Sequence, residues 1–264
     1  MLTALALAAM TYAAPQMLVE TDWVAAHAAD ASVRIVDMRR TGYADGHVPG
    51  AVALAPDAIR VADRPPTFLP TPQEFEALMG RLGIGDATHV VVYDERGGIY
   101  AARLWWILTY FGHRHVSLVN GGWMKWSAEG RASTTDMPAP RTVTFTAKPD
   151  VRWIATADDV KGRIGRPGSV TLDARTQDEI DGRDLRGIRR GGFVPQSTPL
   201  YWEDLLDPVA KTFKPADALQ QLFDARGLTR ETDIVAYCQV GMRASVDLFA
   251  LHLMGYEQLR NYYG

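Results

Sequence analysis

The two halves of this 264-residue chain carry the same succession of patterns, and that repetition restricts the fold more than any single motif does. In the first half, "VRIVDMRRTGYADGHVPGAVAL" (33–54) is an apolar β-branched run, a polar loop and a second short apolar run. In the second, "SVTLDARTQDEIDG" (169–182) followed by "RGGFVPQSTPLYW" (190–202) repeats it. Asp37 and Arg39 thereby match Asp173 and Arg175, and "GHVPGA" matches "GFVPQS". Helical patterns come next, "TPQEFEALMGRLGI" (71–84) and "PADALQQLFDARGL" (215–228). Thr71, with Pro72 at the first helical position and Glu74 at the third, marks one start, and Pro215 marks the other. Each half then gives a strand-like run, "THVVVYD" (88–94) or "TDIVAYC" (232–238), a short loop, an apolar-rich helix and a last strand. Strands alternating with helices imply parallel βαβ units. The expected fold is α/β, with two tandem domains over 17–131 and 150–264, each a parallel sheet flanked by helices. Residues 132–149, with Pro, Thr and Ala but no helical period, read as a linker wrapping one domain onto the other.

The halves end differently. The first runs on into "NGGWMKWSAEG", whereas the second stops at Asn261-Tyr262-Tyr263-Gly264, so a further helix of ordinary length is expected beyond Gly264 and the second domain reads as truncated. At the other end, "MLTALALAAMTYAAPQ" is apolar and small, with Thr11 and Ala13 where a signal peptidase would read, but it has no basic start. A secretory leader, which would make the protein periplasmic or secreted, stands beside a misplaced start or an ordinary helix in a cytoplasmic one. The stretch is too short to span a bilayer. Lys plus Arg number 28 against 31 Asp plus Glu, so the basic excess of a nucleic-acid binder is missing.

Cys238 is the only cysteine, which excludes an intrachain disulfide and leaves no Cys/His grouping for structural zinc. It follows the apolar run "DIVAY" and precedes "QVGMR" and a helix. Parallel α/β folds place their chemistry at such a strand end. Gly241 permits a tight turn, the helix start supplies unpaired N–H groups and a positive dipole end, and Arg243 adds a cation. The arrangement favours an anion, and the thiolate of Cys238 is the nearest one, which makes it a candidate nucleophile. A lone cysteine is more often a small buried hydrophobe. The repeat decides against that: the matching position is Asp94, and a site that accepts a carboxylate is not an apolar core site.

The paired "VDMR" and "LDAR" strands, the "GHVPGA" turn and "YCQVGMRAS" together resemble the tandem-domain rhodanese family, the thiosulfate and 3-mercaptopyruvate sulfurtransferases, over residues 17–264. The resemblance implies a catalytically silent first domain, with Asp94 at the cysteine position, and a second domain in which Cys238 carries sulfur as a persulfide. It implies that the backbone N–H groups of Gln239, Val240, Gly241, Met242 and Arg243 cradle that persulfide, with no metal or organic cofactor. The partners implied are a small sulfur donor, thiosulfate or 3-mercaptopyruvate, and a thiophilic acceptor such as cyanide, for a monomer that engages neither nucleic acid nor membrane. Two departures leave the donor open: Val240 stands where the thiosulfate enzymes have a basic residue and the mercaptopyruvate enzymes a small polar one, and Glu179 stands where both have a substrate-binding Arg.

A cysteine phosphatase is a rival, since Cys and Arg on a strand–loop–helix define that class too. Only four residues separate Cys238 from Arg243, a ring narrower than a tetrahedral phosphate needs, and no Asp general acid is evident. A non-catalytic sulfur-relay or binding module is the other alternative. Arg183, Arg186, Arg189 and Arg190 read either as solvated charges or as a funnel for small anions, with Arg183 taken as substrate-binding. Asp37–Arg39 and Asp173–Arg175 read as structural strand-end ion pairs, His47 as a turn hydrogen bond, and Trp105, Trp106, Trp123 and Trp126 as packing of the first domain, with one of them able to line the cleft between the domains instead.

Overall fold

The computed structural model describes residues 10–61 and 69–263. The two halves are built alike. In the first, β1 (Leu18–Val19), β2 (Val33–Asp37), β3 (Val52–Ala53), β4 (His89–Tyr93) and β5 (Val116–Val119) form a parallel sheet in the order β1-β5-β4-β2-β3. In the second, β6 (Ile154–Ala155), β7 (Ser169–Asp173), β8 (Thr198–Pro199), β9 (Asp233–Tyr237) and β10 (Leu259–Tyr262) repeat that order as β6-β10-β9-β7-β8. The central strands, β4 and β9, are buried on both faces, which is why they read as continuous apolar runs.

Helices α1 (Thr21–His27), α2 (Pro72–Arg81), α3 (Ile99–Tyr110) and α4 (Gly122–Ala128) flank the first sheet; α5 (Ala157–Lys161), α6 (Gln177–Ile180), α7 (Ala216–Asp224) and α8 (Met242–Leu253) flank the second. The capping box at Thr71 forms as its spacing suggests: Oγ1 accepts from Glu74 N, and Glu74 Oε2 accepts from Thr71 N. Pro215 is the N-cap of α7 rather than its first residue.

Helices α3 and α8, which follow the two central strands, pack on each other between the sheets. Two of the four tryptophans, rather than one at most, lie between the domains. Trp105 meets Trp153 and Phe249 of the second half, with ring centroids 5.7 and 5.2 Å away, and Trp106 lies 5.2 Å from the Tyr263 ring. Both belong to the junction, because α3 presents an apolar surface all round; Trp123 and Trp126 do stay within the first half. The 132–149 segment is strapped down, with Phe145 buried and Val143 N donating to Gly80 O at 3.2 Å. The leader-like stretch falls mainly on residues 1–9, outside the described set; Tyr12 donates to Lys214 O at 2.8 Å and Ala14 N to Leu253 O at 3.0 Å. Among the described residues no helix is long and apolar enough to cross a membrane.

Candidate active site at the carboxyl end of β9

Cys238 follows the last residue of β9 and is 6% exposed. With Gln239, Arg175, Glu179, Arg186 and Phe193 it lines a cavity of about 490 Å³. The loop turns on Gly241, whose φ of +70° is left-handed. A Cβ there would stand 3.0 Å from Asn261 Oδ1 and 3.2 Å from Arg103 Nη1, so space as well as conformation selects glycine. The Gly241 carbonyl accepts from Asn261 Nδ2 at 2.9 Å and Ser245 Oγ at 2.8 Å, which fixes the turn from behind. The N–H groups of Gln239, Val240, Gly241, Met242 and Arg243 donate to no described residue.

The first half displays what such a loop does around a charge. Asp94 Oδ1 accepts from Arg96 N (2.7 Å) and Gly98 N (2.9 Å), and Oδ2 accepts from Tyr100 N (2.7 Å) and Ala101 N (3.0 Å). One anion takes four backbone donors at the start of α3, and Gly98, φ +94°, makes the turn that Gly241 makes before α8.

Beside Cys238, Arg243 is held by Glu179, its guanidinium donating to both carboxylate oxygens at 2.5 and 2.8 Å. Burial pushes the Glu179 carboxyl up, but Arg243 and the Thr176 cap outweigh it and hold it at about 2. With the folded value below the ordinary 4.5, the pair's contribution to stability is present above that value and is lost as pH falls towards 2. Because the cation already has a partner, Glu179→Gln is expected to release it. The KM for an anionic sulfur donor should fall by about tenfold, the effect of ~1.4 kcal/mol from one unpaired cation near the pocket. Steady-state kinetics with thiosulfate read this directly, and an unchanged KM would place the donor away from Arg243.

The Asp173–Arg175 pair is structural, as its counterpart is. Arg175 donates to Asp173 at 2.7 Å and to Gly192 O at 2.9 Å, while Arg39 donates to Asp37 and Gly46 O at 2.7 Å each. Tyr237 and Tyr93 close the two networks on the same carboxylates. His47 bonds Tyr43 O and Asp136 O, both at 2.9 Å. Arg183 stands outside the residues lining the cavity, its guanidinium paired on the surface with Asp178 (2.6 Å) and Asp181 (2.7 Å). Arg186, three residues on, is the one of that run at the cavity wall. Sequence reasoning missed Arg103 and Asp247, whose signal was a charge set in an otherwise apolar helix. Both Asp247 carboxylate oxygens are buried without a partner; burial first, and the negative charge of Cys238 next, push this carboxyl well above the ordinary range.

The family model for the rhodanese-like domain matches this chain twice, over residues 20–129 and 156–264. The chain belongs to the rhodanese family. Among its relatives, the sulfur carrier protein TtuD of Thermus thermophilus is 35% identical, over 97% of this rhodanese and 94% of its own length. A putative thiosulfate sulfurtransferase of Haloferax volcanii is 32% identical, over 95% and 92%. The crystal structure of SseA from Escherichia coli, described as a 3-mercaptopyruvate sulfotransferase with the rhodanese fold, superposes with a TM-score of 0.84. It is 27% identical, covering 94% of this rhodanese and 98% of that chain. The duplicated parallel sheets are thus the rhodanese fold, present twice.

Proposed function

We propose that this rhodanese is a sulfurtransferase that moves a sulfane sulfur from thiosulfate to a thiophilic acceptor such as cyanide through a Cys238 persulfide. The observation that carries the reading is the contrast between the two loops. Around Asp94 four N–H groups converge on a fixed carboxylate; in the loop after Cys238 the N–H groups of Gln239 to Arg243 have no acceptor among the described residues. A thiolate, and then the terminal sulfur of a persulfide, is the anion such a loop can serve, in the manner of an oxyanion hole.

The thiolate of Cys238 attacks the outer sulfur of thiosulfate, the sulfur–sulfur bond of the donor breaks, and sulfite leaves with the electron pair. Cyanide then attacks the terminal sulfur of the persulfide, the new sulfur–sulfur bond breaks, and Cys238 leaves as the thiolate while thiocyanate departs. Neither step needs a proton from a histidine. The first domain, with Asp94 at the matching position, has no thiol, and its α3 packs on α8.

A second reading, 3-mercaptopyruvate as donor, is favoured by the likeness to SseA and by the Arg243–Glu179 pair, which leaves less free charge for a dianion. Comparison of kcat/KM for the two donors with cyanide as acceptor tests the choice. Thiosulfate is expected to be the better donor; a clear preference for 3-mercaptopyruvate transfers the assignment.

A further inference from the structure

Four arginines among the described residues are less than a tenth exposed: Arg39, Arg103, Arg163 and Arg175. Three of them hold a carboxylate, with Arg39 2.7 Å from Asp37, Arg163 2.8 Å from Asp233 and Arg175 2.7 Å from Asp173. Arg103 holds none among the described residues, and its Nη1 has no hydrogen-bond partner. A cation removed from water without a counterion is strongly unfavourable, so its retention in an otherwise apolar helix points to an anion it serves.

The surroundings of Arg103 place it beside the loop that follows Cys238. Arg103 projects from α3 across the junction. The Tyr263 ring stands 4.3 Å and the Trp106 ring 5.0 Å from its guanidinium carbon, and Nη1 lies against Gly241, within the loop that follows Cys238. The aromatic faces partly shield the cation but do not neutralise it. Burial pushes the guanidinium down and Arg60 adds to this, while the neighbouring Tyr263 and Cys238 side chains work against it. Arg243, the cation within the loop itself, is paired with Glu179 while also reaching the Cys238 side chain.

We propose that Arg103 of the first domain is a positioning residue for the anion carried at Cys238, so that the domain without a thiol contributes the unpaired positive charge of the site. This rests on the reading of Cys238 as the sulfur carrier. It assigns the duplicated domain an electrostatic part in the chemistry.

The test exploits Cys238 being the only thiol, so that alkylation by iodoacetamide reports on it alone. The full chain is compared with Arg103→Met, Arg103→Gln and Arg103→Lys across a pH series. Loss of the charge in the Met and Gln variants is expected to move the inflection of the alkylation profile up by about one pH unit, which slows alkylation about tenfold below it. The Lys variant, which keeps the charge, should stay near wild type. Thermal stability of the Met variant should equal or exceed wild type, because an apolar chain of similar size replaces a lone buried cation. Superimposable profiles for all four proteins, or a Met variant that is destabilised with its profile unmoved, would overturn the proposal and leave Arg103 as packing. Incubation of each protein with thiosulfate, followed by intact mass, separates the two readings. A wild type that never gains sulfur refutes the transfer reaction, while the alkylation profiles still judge Arg103.

Discussion

Cys238→Ser is expected to lower sulfur transfer from thiosulfate to cyanide by at least about a thousandfold while the protein stays folded. The serine hydroxyl occupies nearly the same space at the end of β9, so the loop, the Gly241 turn and the Arg243–Glu179 pair have no reason to move. Stability should change by no more than about 1 kcal/mol, the usual range for a near-isosteric change. What is lost is the chemistry: an alcohol is not ionised in the working pH range and does not form a persulfide. The assay is thiocyanate formation, with circular dichroism and a thermal melt as the control for folding. Retained turnover in a folded Ser variant would rule out Cys238 as the carrier.

Asp94→Ala should produce the opposite pattern, a large loss of stability with the chemistry spared. The Asp94 side chain lies buried just past the end of β4 and is, among the described residues, the acceptor for Arg96 N, Gly98 N, Tyr100 N and Ala101 N. Truncation strands these four donors at the start of α3. A buried group left without its partner costs about 1–3 kcal/mol, and water admitted to the space recovers part of the total. A net loss of about 3 kcal/mol is expected, which for a chain of this size lowers Tm by roughly 6 °C. At temperatures where the variant remains folded, Cys238 should still take up sulfur. A melt within a degree or two of wild type would show that the Asp94 carboxylate does not organise its loop.

Cys238, Asp94 and the groups around them differ in how legible they are in the sequence. The parallel sheets were readable because β2, β4, β7 and β9 are short apolar runs, and because every pattern occurs twice; a tertiary contact that alters one copy can be checked against the other. The same repeat aligns Cys238 with Asp94, and both follow a central strand and precede a helix that starts on a left-handed glycine. Three things were not readable. The pairing of Arg243 with Glu179 spans 64 residues, and it depends on how α6 sits against the start of α8, which no local pattern encodes. The binding of Arg183 by Asp178 and Asp181 is decided on an exposed loop, where several charges of each sign compete within a few residues. The reach of Arg103 into the second domain depends on how α3 and α8 cross. The apolar pattern of α3 predicts that it is buried, not what it is buried against.

The central claim, that Cys238 carries sulfur between donor and acceptor, is open to one direct measurement. Wild-type protein is incubated with thiosulfate, separated from it by gel filtration, and its intact mass is recorded before and after cyanide is added. The account predicts a gain of one sulfur atom per chain, located on the peptide containing Cys238, and its removal by cyanide with one equivalent of thiocyanate released. A protein that turns over thiosulfate and cyanide, yet whose mass never rises at any point in the cycle, would contradict it.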